Sequence, residues 1–336
     1  MSSSIKTRLP LFFLVLVISA AGLAEDNAVT KQGEMGLFID NMVQKYKFSK
    51  DILRKLFEQV EIKPRIIEAI TRPAEAKPWY QYRPIFVTQK RIDGGVNFMQ
   101  QHSRALAQAE MKYGVPAEII TAIIGVETFY GRHKGGYRVM DALSTLAFDY
   151  PPRGKFFRSE LEQFLLLTRE EKIDPLTIKG SYAGAMGKPQ FISSSYRRYA
   201  VDFDNDGKRD LWNNTTDAIG SVANYLSLHG WKRGAKITAK AEIGKFQHES
   251  LIKKGIKPHT SIQMMNNNGI VVPDNIPKDQ TGSLISLENE NGNEYWVGLN
   301  NFYVITRYNH SALYAMAVYQ LSEEIKTEKN RRSLDS

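Results

Sequence analysis

Cysteine is absent from all 336 residues. That excludes a disulfide framework, a thiol nucleophile, a thiolate metal site and a lipid anchor built on a cysteine. Internal repeats and low-complexity tracts are missing as well, and His133, His229 and His310 show no metal spacing, so they read as structural. With 42% hydrophobic and 24% charged residues, the composition is that of an ordinary globular chain of two or three structural units, not a disordered one.

The N-terminus carries an export pattern over residues 1–24. Lys6 and Arg8 supply the positive region, Leu11 to Ile18 an apolar run, and Ala20, Ala21, Gly22 and Ala24 a small-residue exit. The run is short of the ~20 apolar residues of a spanning helix, so cleavage near Ala24 is expected, with no stable membrane span afterwards. The mature protein is then soluble and periplasmic. A net charge of +9, spread along the chain, either serves solubility or meets an anionic partner. Export disfavours nucleic acid as that partner and favours a polyanionic cell wall.

Helical signals run from Leu37 to about Pro189. Ser49 reads as an N-cap, with Phe48 and Leu53 as a hydrophobic staple around it. Pro73 to Pro84, rich in proline and aromatics, reads as a loop or a crossing between lobes. One helix is expected from about Gly95 to Tyr113, stopped by Gly114, and another opens at Pro116. After Trp231 the texture changes. Ile237 to Ile243 alternates, Ile270 to Val272 is β-branched, and the runs Leu284 to Leu287 and Tyr295 to Leu299 flank the turn-prone pair Asn291-Gly292. Residues 234–300 are therefore expected to form a small β insertion. Helix returns from Ser311 to Ile325, where Leu313, Ala317 and Leu321 recur at i+4. The fold class that follows is α+β, mainly α.

One acid stands out. Ile120, Ile123, Ile124 and Glu127 fall on one stripe of the helix opened by Pro116. Burial and the negative end of the helix dipole both raise the pKa of a carboxyl group there. A carboxylic acid that keeps its proton near neutrality is what protonation of a glycosidic oxygen requires. The bland alternative is a first solvated residue after a buried helix; Glu118, in the first turn of the same helix, is explained by the dipole alone.

A second acidic pattern, Asp202, Asp204 and Asp206 followed by Gly207, is the front half of an EF-hand loop. Lys208 falls where that loop uses a backbone carbonyl, and Asn213 falls where the strongest bidentate ligand belongs.

The segment Ile123-Ile-Gly-Val-Glu-Thr-Phe-Tyr-Gly-Arg132 resembles the catalytic segment of the membrane-bound lytic transglycosylase B family. Further blocks resemble that family in its order: Asp141-Ala-Leu-Ser-Thr-Leu-Ala-Phe-Asp-Tyr-Pro151, Lys179-Gly-Ser-Tyr-Ala-Gly-Ala-Met-Gly187, Gln190-Phe191, Asp217-Ala-Ile-Gly-Ser-Val-Ala-Asn-Tyr225 and Asn301-Phe-Tyr-Val-Ile-Thr-Arg-Tyr-Asn-His-Ser311. The likeness runs from about Pro73 to Ile325.

The resemblance implies a lysozyme-like core over 116–233 beside a helical lobe over 30–115. The small β domain is inserted at 234–300, and 301–330 returns to the core. It also implies cleavage of peptidoglycan between N-acetylmuramic acid and N-acetylglucosamine with formation of a 1,6-anhydro ring, Glu127 serving as acid and base. Ser181, Gln190, Tyr308 and Asn309 match positions that contact the sugars or place the acetamido group. Tyr82, Tyr225 and Tyr314 match aromatic positions around the cleft, where plain core packing is the competing explanation, and Arg153 matches a position near the muramyl peptide.

By the same resemblance Asp217 closes the acidic loop at 202–217, unless it only caps the following helix, and the ion implied is a structural Ca2+ with no catalytic cofactor. A monomer working on glycan strands, alongside other cell-wall synthesis proteins, is the expected arrangement. Two rivals remain open: a lysozyme-type hydrolase, for which Asp141 or Asp149 is the nearest second carboxylate, and a catalytically inactive peptidoglycan-binding protein. Lys188-Pro189 and Ser193, around Gln190, depart from the family's common pattern and put the neighbouring subsite wall in doubt.

Overall fold

The computed structural model describes residues 20–71, 77–244, 248–273 and 275–334. The expected leader lies outside them up to residue 19, and so does most of the proline-rich stretch before Lys77. Two compact units divide the chain, residues 1–58 and 59–336.

The first unit holds helices α1 (Ala20–Tyr46) and α2 (Lys50–Phe57). Ser49 is the N-cap of α2, its Oγ accepting the Ile52 amide at 3.4 Å. Phe38 meets Phe57 edge-on, with ring centroids 5.8 Å apart.

The second unit opens with five helices: α3 (Pro64–Ile70), α4 (Trp79–Phe86), α5 (Gln89–Gln101), α6 (Ser103–Tyr113) and α7 (Ala117–Thr128). Next come β1 (Tyr137–Arg138), α8 (Val139–Asp149), a 3-10 turn (Pro151–Arg153), α9 (Gly154–Glu170), β2 (Lys179–Gly180), α10 (Ser193–Tyr199) and α11 (Thr215–Leu228). The β insertion contains β3 (Thr238–Ile243), α12 (Glu249–Ile252), β4 (Thr260–Ser261), α13 (Ile262–Asn267), β5 (Ile270–Val271), β6 (Thr281–Asn289) and β7 (Gly292–Gly298). Helices α14 (Asn300–Thr306) and α15 (Ala312–Leu334) return to the core. None of the described helices is long and apolar enough to cross a membrane.

Two expectations are corrected. Trp79–Phe86 is helix, not loop: extended Pro78 caps it, and in eight residues Pro84 forfeits a single ladder bond. The helix expected over 95–113 is two helices, parted at His102, whose backbone (φ −116°, ψ 23°) leaves the helical region and whose ring packs on Phe98 at 4.6 Å.

The β insertion follows the alternation. Its five antiparallel strands lie in the order β4-β6-β7-β3-β5, with Leu284 opposite Val297 and Asn289 opposite Gly292 where the hairpin turns. Leu284, Val297 and Leu299 close on Ile262, Met265 and Ile270 in a core of their own.

Helix α7 is the axis of the larger unit. Every residue from Ile119 to Val126 is buried, and the helix packs on α5, α6, α11 and α15. A helix apolar on all sides has no place except inside. Its end is tightly drawn: Phe129 (φ 51°) and Tyr130 (φ 62°) both take the left-handed conformation, which bulky residues rarely adopt. The Tyr130 hydroxyl donates to the Arg91 carbonyl at 2.6 Å, and the Arg91 Nε donates to the Gly125 carbonyl at 2.9 Å. Tyr130 enters because Gly125 has no side chain; a Cβ there would lie 2.7 Å from its hydroxyl.

Gly125→Val should therefore destabilise the protein by about 1–3 kcal/mol, because overpacking outweighs the few tenths gained in helix propensity. The denaturant midpoint checks this, and an unchanged midpoint contradicts the slot.

Candidate active site

Glu127 is the penultimate residue of α7 and is partly buried. The hydroxyl of Tyr314, from the first turn of α15, donates to its Oε1 at 2.6 Å. Ser311 sets that turn, its Oγ accepting the Tyr314 amide at 3.3 Å. The ring of Tyr308 lies nearly parallel to that of Tyr314, with centroids 6.4 Å apart at 9°. Burial, and after it the charge of Glu127, pushes both phenols well above their ordinary value. Both hydroxyls consequently stay protonated, and Tyr314 is a permanent donor to the carboxylate.

The Tyr308 hydroxyl donates to the Pro189 carbonyl at 2.6 Å, which ties the 307–311 turn to the residue before Gln190. Tyr225, on α11, donates to the Arg307 carbonyl at 2.5 Å, meets Tyr308 edge-on at 4.9 Å and stacks on His229 at 4.0 Å. Tyr82, buried on α4, stacks with Trp79 and stands near enough to Tyr314 to disfavour its ionisation. Asn309 is partly buried between Tyr308 and the start of α15, its carbonyl accepting the Ser311 amide at 2.7 Å.

Strands β1 and β2 pair antiparallel, and bridges from Gly180 to Met186 and from Met186 to Phe191 extend this small platform. It carries both Ser181 and Gln190. The Ser181 Oγ accepts the amides of Ala183 (3.2 Å) and Ala185 (3.0 Å), so the hydroxyl also braces its own turn. Gln190 sits at φ 52°, with its amide nitrogen on the carbonyls of Gly187 (2.9 Å) and Lys134 (3.3 Å).

Arg153 is exposed on the 3-10 turn, its guanidinium over the rings of Phe156 (4.5 Å) and Phe157 (5.2 Å). Tyr130, Arg91 and Thr128, which hold the end of α7, were not marked by the sequence reading. Their role rests on contacts across tens of residues, and the local hint was the Gly94-Gly95 pair, which together with Gly125 leaves room for the Tyr130 side chain.

In the acidic loop, carboxylate oxygens of Asp202, Asp204 and Asp217 all lie within 4.8 Å of one another. Asp217 is fully buried. Burial pushes its carboxyl up to about 6; the amides of Phe203 and Asp210, each donating at 2.8 Å, oppose that shift, and the charges of Asp204 and Asp202 add to it. Three hard oxygen donors, one of them a buried acid, suit a divalent cation. Asp206 is not in the cluster; its Oδ1 accepts the Lys208 amide at 2.9 Å, in the tight turn at Gly207. The cap of α11 is Asn214, whose Oδ1 accepts the amides of Thr216 and Asp217, so Asp217 is not that cap and faces the loop.

An acid at the end of a buried helix, packed against buried tyrosines, is what this part of the fold builds. The chain belongs to the transglycosylase SLT domain family, which it matches over residues 31–323. It is 43% identical over 298 residues to the membrane-bound lytic murein transglycosylase B of Escherichia coli (strain K12), an alignment spanning 86% of this chain and 81% of that one. The crystal structure of the soluble lytic transglycosylase SltB1 from Pseudomonas aeruginosa superposes with a TM-score of 0.84 at 52% identity, covering 88% of this chain and 99% of that one. The Escherichia coli lytic transglycosylase Slt35 in complex with calcium does so with a TM-score of 0.81 at 43% identity, covering 88% and 93%.

Tyr314→Phe keeps the packed ring and removes the donor to Glu127. A hydrogen bond to a charged group is worth about 1.5–3 kcal/mol, so kcat should fall roughly ten- to a hundredfold, with a modest drop in the thermal midpoint of a variant that stays folded. Undiminished kcat in a folded variant would contradict a working role for this bond.

Proposed function

We propose that the chain is a peptidoglycan lytic transglycosylase that cleaves the β-1,4 bond between N-acetylmuramic acid and N-acetylglucosamine, with Glu127 as the only acid and base. The observation that carries this reading is the placement of Glu127 at the end of a buried helix, held by the Tyr314 phenol beside a wall of tyrosines. Family membership supports the same activity.

Glu127 gives its proton to the oxygen that leaves with N-acetylglucosamine as the anomeric C–O bond breaks. The muramyl acetamido oxygen shields the anomeric carbon. The C6 hydroxyl of the same ring then attacks that carbon and returns its proton to Glu127, closing the 1,6-anhydro ring. Because this nucleophile is already attached to the ring, its effective concentration exceeds that of water, and no second carboxylate is needed. Gln190, Asn309 and Ser181 present amide and hydroxyl groups to the sugars, while Tyr82, Tyr225 and Tyr308 shape the cleft. Arg153 offers a guanidinium fork to a peptide-stem carboxylate.

The hydrolase rival needs a second free carboxylate. Asp141 is not free: it takes Arg138 in two bonds, at 2.7 and 2.9 Å, and the Glu61 amide at 3.0 Å. The inactive-binder rival leaves the seating of Glu127 without a purpose.

Asp202, Asp204 and Asp217 form a structural calcium site, with the Lys208 carbonyl completing it; the Slt35 complex with calcium is in keeping with this. Calcium in this position supplies rigidity to the loop and takes no part in proton transfer. The export pattern supports a periplasmic location, where the positive charge suits an anionic wall.

Glu127→Gln should reduce turnover of purified peptidoglycan by at least about a hundredfold while the protein still cosediments with the wall. Full activity in the folded variant would remove Glu127 from the chemistry.

A further inference from the structure

Lys188 is only 9% exposed. Burial lowers the pKa of its ammonium, the neighbouring charge of Lys134 lowers it further, and Asp210 opposes both. An ammonium taken out of water needs acceptors, and Lys188 finds two in succession. Its Nζ donates to the carbonyls of Trp212 and Asn213, each at 3.0 Å, and Lys134 donates to the same Trp212 oxygen at 2.9 Å. The Lys188 amide donates to the Leu211 carbonyl at 2.8 Å. On the opposite side, the Lys188 carbonyl accepts the Thr128 hydroxyl at 2.8 Å, and Thr128 directly follows Glu127.

The 210–214 turn that Lys188 grips is itself tied to the acidic loop. The Asp210 Oδ1 accepts the amides of Trp212 and Asn213, both at 2.9 Å, and the Asp210 amide donates to Asp217 at 2.8 Å. Little slack separates the two segments, since a Cβ on Gly187 would lie 2.6 Å from the Leu211 carbonyl oxygen. An unbroken series of bonds therefore runs from Asp217 through Asp210, the 211–213 backbone, Lys188 and Thr128 to the end of the helix that carries Glu127.

We propose that Lys188 is a positioning residue: its buried ammonium and main chain lock Thr128 and the Pro189-Gln190 segment onto the end of the acidic loop. A divalent cation held by Asp202, Asp204 and Asp217 thereby fixes the placement of Glu127 and Gln190. The proposal rests on the cation reading of that cluster and does not depend on which bond the enzyme cuts. Lys188 touches no substrate in this account; it acts through Thr128 and through the backbone leading to Gln190.

Hydrogen–deuterium exchange on the full chain, in calcium chloride against chelator, tests it. Calcium should protect residues 202–217 and also the segments 128–133 and 186–191. In Lys188→Met, which keeps the main-chain bonds and removes the ammonium, protection of 202–217 should persist while the other two segments lose most of their calcium-dependent protection. On purified peptidoglycan the same variant should lose roughly tenfold in kcat, since Glu127 is no longer held in its working place. Protection confined to 202–217 in the unaltered protein overturns the coupling and leaves the cation site standing; no protection anywhere overturns both. A folded Lys188→Met that keeps full calcium protection of 128–133 and 186–191, or keeps its kcat, also overturns it. Should that variant fail to fold, the exchange pattern of the unaltered protein decides the matter alone.

Discussion

The hydrogen bond from the Tyr314 phenol to Glu127 joins two helices whose bonded residues stand 187 positions apart in the chain. Helix α7 brings the acid and α15 brings the donor, and the two helices pack directly on one another. Because both Tyr308 and Tyr314 are held well away from ionising, the carboxylate faces permanent neutral phenols, not competing charges. The first needs only apolar burial of α7; the second needs the chain to return after the β insertion. Residues 300–334, which follow the β strands, bring Tyr308 and Tyr314 back to Glu127.

In the proposed chemistry one acid acts twice and must be held steadily, since the proton leaves and returns along different directions. The bonds that hold the end of α7 reach away from the Glu127 carboxylate into the rest of the fold. Two consecutive left-handed residues end α7, and strain of that kind persists only where the surroundings over-determine it. Here Tyr130, Arg91 and the Thr128 hydroxyl, which also accepts the Gly131 amide at 2.9 Å, hold the turn. The 187–191 segment is held from the other side by Tyr308 on the Pro189 carbonyl. Glu127 and Gln190 are thus seated from separate parts of the fold that meet at Thr128 and Lys188.

Much of this was legible beforehand, for physical reasons that can be named. The stripe of Ile120, Ile123, Ile124 and Glu127 announced a buried helix ending in an acid, because helical periodicity and burial are local properties. Alternation and β-branching pointed to strands at 237–243 and 270–272, where Thr238–Ile243 and Ile270–Val271 form them. The break at His102 was hidden because both flanking segments have good helical patterns, and the helix at Trp79–Phe86 was hidden because one proline in a short helix costs little. In the acidic loop, spacing pointed to Asp202 and Asp204, whose carboxylates the fold gathers with that of Asp217, yet the turn at Gly207 engages Asp206, and only the structure shows Asn214 taking the cap that Asp217 was free to take. Sugar-contacting roles came from family likeness, not from residue pattern, and Lys188 and Tyr130 were silent because their partners are distant in the chain.

Digestion of purified peptidoglycan in oxygen-18 water, followed by mass spectrometry of the released muropeptides, tests the central claim most directly. If one carboxylate works with the sugar's own C6 hydroxyl, the products end in 1,6-anhydromuramic acid and carry no heavy oxygen. Reducing-end muropeptides bearing a single oxygen-18 atom would mean that water is the nucleophile, and the one-acid account would be wrong.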